Sequence, residues 1–116
     1  RLYLVDAADP YVLQSVRALG LSPEHTQQFE DGNYRMGRND PNRGDTWKCL
    51  ETGEPRVHQW NPSPAAAPEE KTVRGVTVHN LREPTFRQPW KQEGDIWIDL
   101  PLQAPEQAIG KLTIDV

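Results

Sequence analysis

One cysteine, three histidines and a spaced set of aspartates are the residues of this 116-residue chain best equipped to act as nucleophiles, metal ligands or proton carriers. Cys49 could serve as a reactive thiol or chromophore anchor. It is flanked, however, by Trp47 and Leu50 at helical spacing, where a buried cysteine acts as a small apolar side chain. His25, His58 and His79 could ligate a metal or a haem, yet they fall on three different predicted elements and no pair has the i, i+4 spacing of a helical ligand set. Each therefore reads as a surface or internally satisfied histidine, with His79 the best placed to touch a ligand. Asp99 and Asp115 share one face of a strand pair and could divide acid and base work; alternatively, Asp99 bonds backbone or a nearby arginine. Asp40 to Asp45, with Glu51 at the twelfth position, has the outline of a calcium loop. Its glycine stands at position five rather than six, and a helix starting at residue 46 would turn Glu51 away. With no Ser/His/Asp arrangement and no phosphate-cradling loop, catalysis has no positive support. The expectation is a protein that is not an enzyme, a small enzyme using Asp99 or Cys49 being the alternative.

Four tryptophans form a second candidate set. Trp47, Trp60, Trp90 and Trp97 fall on different elements and could converge on one cavity, walled in addition by Asn39, His79, Arg82 and Asp99; ordinary core filling is the competing explanation.

The elements that must position these residues are organised around the last stretch, Asp95 to Val116. Ile96/Ile98/Leu100/Leu102 and Leu112/Ile114/Val116 alternate on either side of a polar turn, Gln103 to Gln107, which predicts a β-hairpin. Period two places Trp97, Asp99, Thr113 and Asp115 on the opposite face. The aliphatic face needs a cover, because each such side chain left in water forgoes roughly 1.5–3 kcal/mol. Upstream, Leu2–Val5 and a run from Tyr11 to Leu19 predict a second hairpin. Ser22-Pro23-Glu24 starts a helix that ends by Gly32, and residues 33–36 predict a brief strand. Asp45 is expected to cap a helix over Thr46–Thr52, with Gly53 and Pro55 stopping it. Arg56–Trp60 predicts a strand, residues 61–72 a mobile Pro/Ala-rich loop, and Val73, Val76 and Val78 one extended segment. Thr85 can cap a second short helix holding Phe86 and Trp90.

Length admits one domain, and 11 prolines with 8 glycines imply much irregular chain. The net charge is −4 with a pI near 5.3 and a mean hydropathy of −0.80. Lysine and arginine are scattered, which argues against nucleic acid. No apolar run approaches the ~20 residues of a membrane helix. One cysteine excludes an internal disulfide and fits a reducing compartment, the cytoplasm by default.

Leu50-Glu51-Thr52-Gly53-Glu54-Pro55, Asp99-Leu100-Pro101-Leu102 and Ile109-Gly110-Lys111-Leu112-Thr113-Ile114-Asp115, in that order and over nearly the whole chain, resemble a GAF domain. The resemblance implies an α+β fold: an antiparallel sheet of about five to six strands, with short helices and loops roofing a small-molecule pocket on one face. The terminal helices of the family are absent here, so residues 1–116 read as a single GAF-like domain truncated at both ends. The implied role is that of a non-catalytic sensory or regulatory ligand-binding module of a signalling protein such as a sensor histidine kinase, with an output domain in the same polypeptide. A homodimer is expected to be compatible with it, and a dimerisation or scaffold module without a ligand is the alternative. Cys49 lacks the position and following histidine of a bilin anchor, the histidines do not favour haem, and the family's cyclic-nucleotide signature is missing; all three ligands are disfavoured.

Overall fold

The computed structural model describes residues 1–41, 43, 45–61, 69–81 and 90–116. Strand β1 (Leu2–Val5) and strand β2 (Val12–Arg17) form the expected first hairpin. The aspartates between them fold the turn locally: Asp6 Oδ1 accepts from the Ala8 N–H at 2.8 Å and Asp9 Oδ1 from the Tyr11 N–H at 3.0 Å, as short acceptors do in Asx turns. Helix α1 (Pro23–Glu30) starts where the hydroxyl and proline predict, with Ser22 Oγ accepting from the His25 N–H at 3.2 Å. Strand β3 (Arg35–Gly37) follows.

Helix α2 is Lys48–Thr52, shorter than expected, and Trp47 occupies its N-cap without a side-chain hydrogen bond. Asp45 does not cap it. Its carboxylate is turned instead to Arg56 and His58, because a cationic partner holds a partly buried carboxylate better than a peptide N–H does. At the other end Gly53 takes the left-handed conformation at φ 71°, as expected. Strand β4 is Arg56–Trp60. Val73, Val76 and Val78 do not form one segment. Strands β5 (Glu70–Val73) and β6 (Val76–Leu81) make a hairpin about Arg74 and Gly75, both at positive φ (51° and 79°), as a two-residue type I′ turn requires. The expected loop over 61–72 therefore ends earlier; residues 62–68 lie outside the described residues, as does the helix placed at Thr85 apart from Trp90. The final hairpin pairs β7 (Ile96–Ala104) with β8 (Gln107–Asp115).

All eight strands belong to one sheet in the order β3-β2-β1-β8-β7-β4-β6-β5. Every pairing is antiparallel except β4 with β6, which is parallel. The antiparallel sheet of five to six strands, with the GAF-like architecture it implied, is thus overturned: the fold is a mixed sheet with only two helices among the described residues. Two physical causes account for the miss. The Arg74-Gly75 turn doubles one extended run into two strands, and the parallel β4–β6 pair is a non-local contact that no local pattern encodes.

Cross-strand partners share a face, so the register divides the sheet cleanly. The inner face carries Tyr3, Leu13, Trp97, Asp99, Lys111, Thr113, Arg56, His58 and His79, and both helices pack there. Tyr3 meets Phe29 of α1 edge to face, with ring centroids 5.1 Å apart. Tyr3, Leu13, Ala18, Phe29, Trp47, Cys49 and Leu50 form the core. The outer face carries Leu2 and Leu4 of β1, Leu112 and Ile114 of β8, Ile96, Ile98, Leu100 and Leu102 of β7, and Val57 and Val78 beyond them. The expected aliphatic face of the final hairpin is therefore real, and it is the side on which neither helix packs.

Gly110 shows how closely the central strands approach: a Cβ there would lie 2.1 Å from the Tyr3 carbonyl oxygen and 2.9 Å from Leu4 Cα. Gly110→Ala must push β1 from β8, and the expected cost is about 3 kcal/mol or more. Urea denaturation of the variant checks this; wild-type stability would show that the strands can separate freely.

Candidate functional site

The inner face of β4, β7 and β8 holds a compact set of charged side chains, placed by alternation and register. Arg56 stands opposite Asp99, which stands opposite Thr113; His58 stands opposite Trp97. Asp99 is the centre of the set, only 1% exposed. The Thr113 hydroxyl donates to its Oδ1 at 2.6 Å and Lys111 Nζ donates to its Oδ2 at 3.1 Å. His58, also buried, lies between two carboxylates: Nδ1 is 3.7 Å from Asp99 Oδ2 and Nε2 is 3.5 Å from Asp45 Oδ2. Neither ring nitrogen makes a hydrogen bond of ordinary length, so these are ion-pair distances rather than tight donor contacts. Arg56 Nη2 donates to Asp45 Oδ2 at 2.9 Å.

Two aromatic contacts extend the set. The His58 ring stacks on Trp97 with centroids 5.5 Å apart, and Lys91 Nζ lies 4.0 Å from the centroid of the Trp97 ring, a cation–π geometry. Lys91 and Arg1 both donate to Asp115 Oδ1, at 2.7 and 3.0 Å. The two aspartates that alternation placed on one face are thus neutralised by separate cations, rather than sharing a proton.

Electrostatics follow from these contacts. Burial pushes the Asp99 carboxyl upward, but Lys111, His58 and Thr113 together outweigh it and hold the group below the usual range. At Asp45 the neighbouring His58, assisted by Arg56 and opposed by burial, holds the carboxyl well below its ordinary value. Burial and the Arg56 charge lower His79 despite Glu70, whose Oε1 is 3.2 Å from Nδ1. Cys49 is fully buried, and desolvation with the Asp99 charge nearby pushes its thiol up to about 11, the opposite of what a thiolate nucleophile needs.

Beside this network a cleft of about 470 Å³ opens, lined by Asp45, Lys48, Arg56, Glu69, Glu70, His79, Asn80 and Leu81. Asp45 and Arg56 belong to both, so the buried network forms part of the cleft wall. Of the residues singled out by sequence, Trp97, Asp99 and His79 gather here, around His58, and Trp60 ends the same inner face of β4. Trp47 and Trp90 do not join them. Trp47 is buried in the core, its Nε1 donating to the Met36 carbonyl at 3.0 Å, and Trp90 packs on Tyr34, Phe29 and His25. Asn39 lines a different cleft with Arg38 and Arg43, and Arg82 lies outside the described residues. The four tryptophans therefore divide between core and site. In the loop that had the outline of a calcium site, Glu51 is bound by Arg43 at 2.6 Å and Asp45 by Arg56. Among the described residues no three metal-ligating side chains converge.

No family model matches the chain, and neither a curated protein nor a solved structure does. The GAF resemblance therefore rests on its three short motifs alone.

Arg56 and Lys111 were not singled out by sequence; His58 was weighed only as a metal or haem ligand, Asp45 only as a helix cap or calcium-loop residue, and Thr113 only as a neighbour of Asp99 on its face. The signal for four of these residues was present: Arg56 and His58 alternate on β4, and Lys111 and Thr113 alternate on β8. What the sequence could not show was the register that sets them around Asp99, because strand pairing is non-local.

Removing Lys111 would leave a buried carboxylate without its closest cation, so Lys111→Met should cost about 3–5 kcal/mol, whereas the Lys111→Met/Asp99→Leu double variant should recover most of that loss. A double-mutant cycle by urea denaturation measures the coupling; additive losses would show that the pair is not a unit.

Stability should also depend on pH with a definite sign. Asp99 and Asp45 have depressed folded-state values, so their contribution is complete above their ordinary 3.8 and is lost as pH falls through the lower folded values. His79 is likewise lowered from 6.5; the unfolded chain takes up that proton first, so its contribution is complete above 6.5 and declines below. Thermal melts between pH 8 and 5 should fall less for His79→Gln than for the wild type, an ordering whose reversal would reject the assignment.

Proposed function

We propose that this chain is a non-catalytic regulatory module that binds a small polar molecule in the cleft over β4 and β6, within a signalling protein. One observation carries the reading: the cleft is walled by Arg56, Asp45 and His79, of which Arg56 and Asp45 are tied to each other and to the buried His58, while His79 pairs with Glu70. Such a wall is pre-ordered for hydrogen bonding to a ligand. The groups with reactive chemistry are enclosed and engaged, with Cys49 in the core and both Asp99 oxygens occupied, so nothing at the cleft favours a catalytic role for either. A ligand that contacts His79 or Arg56 also touches residues tied through Asp45 to His58 and the centre of the sheet. Binding one arrangement of that network better than another would shift its population, which is how a bound molecule biases an attached partner.

Thermal-shift measurements against amino acids, dicarboxylates and nucleosides test the proposal. At least one compound should raise the melting temperature with concentration, by the equivalent of about 2.7 kcal/mol at a hundred times its Kd. The shift should disappear in Arg56→Met while the variant remains folded. A panel without a stabilising compound, or a shift indifferent to Arg56→Met, counts against this cleft. The outer sheet face favours a second, compatible reading, assembly.

A further inference from the structure

The outer face of the sheet has a composition more usual for an interior. At the outward register positions of the five adjacent strands β1, β8, β7, β4 and β6 there is no charged residue; the polar ones are Gln59, Asn80 and, at the hairpin end, Gln107, all away from the middle. Charges at outward register positions lie outside these five strands, at Arg35 on β3, Lys71 on β5 and Arg17 on β2, opposite Leu2. Ile114 is 44% exposed and Val78 5%; Leu112, Leu100 and Ile98 are half-buried, and neither described helix packs on this face.

We infer that this face is a homodimer interface on which a second copy of the same chain packs, sheet against sheet. Three features favour a second copy over other occupants. The first is self-complementarity. A two-fold interface sets a patch against itself, so any central charge would meet its own like, and here the centre has none. The second is size. Five strands from β1 to β6, about 4.8 Å apart and averaging about 20 Å in length, outline roughly 500 Å². Two copies together then reach the roughly 1,000 Å² that a specific interface needs. The third is geometry: two twisted sheets pack stably face to face, about 10 Å apart, with aliphatic rows interleaved. An anionic membrane surface is a poorer fit, since the chain carries a net charge of −4 and the face has no basic surround. Closed face-to-face pairing would also shield apolar surface otherwise open to aggregation. The inference is independent of the ligand cleft, which lies on the other side of the sheet.

Sedimentation equilibrium of the 116-residue chain from about 1 to 100 µM tests it, with Leu100→Lys at the centre of the face and Ile114→Lys at an already exposed position. The expected result is a species of twice 13.2 kDa whose dissociation constant rises at least roughly a hundredfold in each variant, with far-UV circular dichroism unchanged. Should Leu100→Lys fail to fold, Ile114→Lys decides alone. A wild-type monomer throughout the range overturns the inference, as does a dimer or larger assembly indifferent to the folded variant.

Discussion

A carboxylate at the centre of a sheet must be neutralised where it stands, and in this chain that requirement ties the tertiary structure together. Asp99 receives a hydroxyl from Thr113, an ammonium from Lys111 and the edge of the His58 ring. Those partners come from β8 and β4, the strands on either side of its own. If β8 slipped by one residue, Thr113 and Lys111 would turn to the outer face and leave a charge buried without partners, at a cost of several kcal/mol. Aliphatic alternation alone distinguishes the faces; the ion network selects the register.

The same network reaches past the sheet. His58 faces Asp45 as well as Asp99, and Asp45 also receives Arg56, so the segment entering α2 is drawn onto the strands by charge. Trp47, Cys49 and Leu50 then bring that segment into the core beside Phe29 and Tyr3. Polar and apolar burial thus occur side by side on one face, the polar part toward β4 and β6 and the apolar part toward β1 and β2. The cleft opens on the polar side, where side chains with hydrogen-bonding capacity are already held in place.

Burial here runs against the simplest expectation from hydrophobic patterning. The face bearing Trp97, Asp99, Lys111 and Thr113 lies inside, while the uniformly aliphatic face of the same hairpin lies outside. The helices decide this: Phe29 and Leu50 supply apolar surface for the inner face, and the carboxylates there are paired with Lys111, Arg56, Lys91 and Arg1.

Much of the local structure was legible in the sequence for identifiable reasons. The hydroxyl and proline of Ser22-Pro23, the glycine at 53 and the alternation on either side of Pro105-Glu106 act over a few residues, and the structure places elements where they point. The turn at Arg74-Gly75 was also local, but one of its positive-φ positions is an arginine, which lacks the Asn-Gly or Asp-Gly signature. Asp45 could serve as a cap or as an ion-pair partner, and only the proximity of Arg56 and His58 chose between them. By itself the sequence determined most of the strands, the start of α1, the end of α2 and the two contrasting faces of the final hairpin, because these follow from steric preferences and periodicity within one segment. Which face is buried, the parallel union of β4 with β6 and the gathering of Asp45, His58 and Asp99 were decided only by tertiary structure, because they depend on contacts between strands that the chain brings together from a distance.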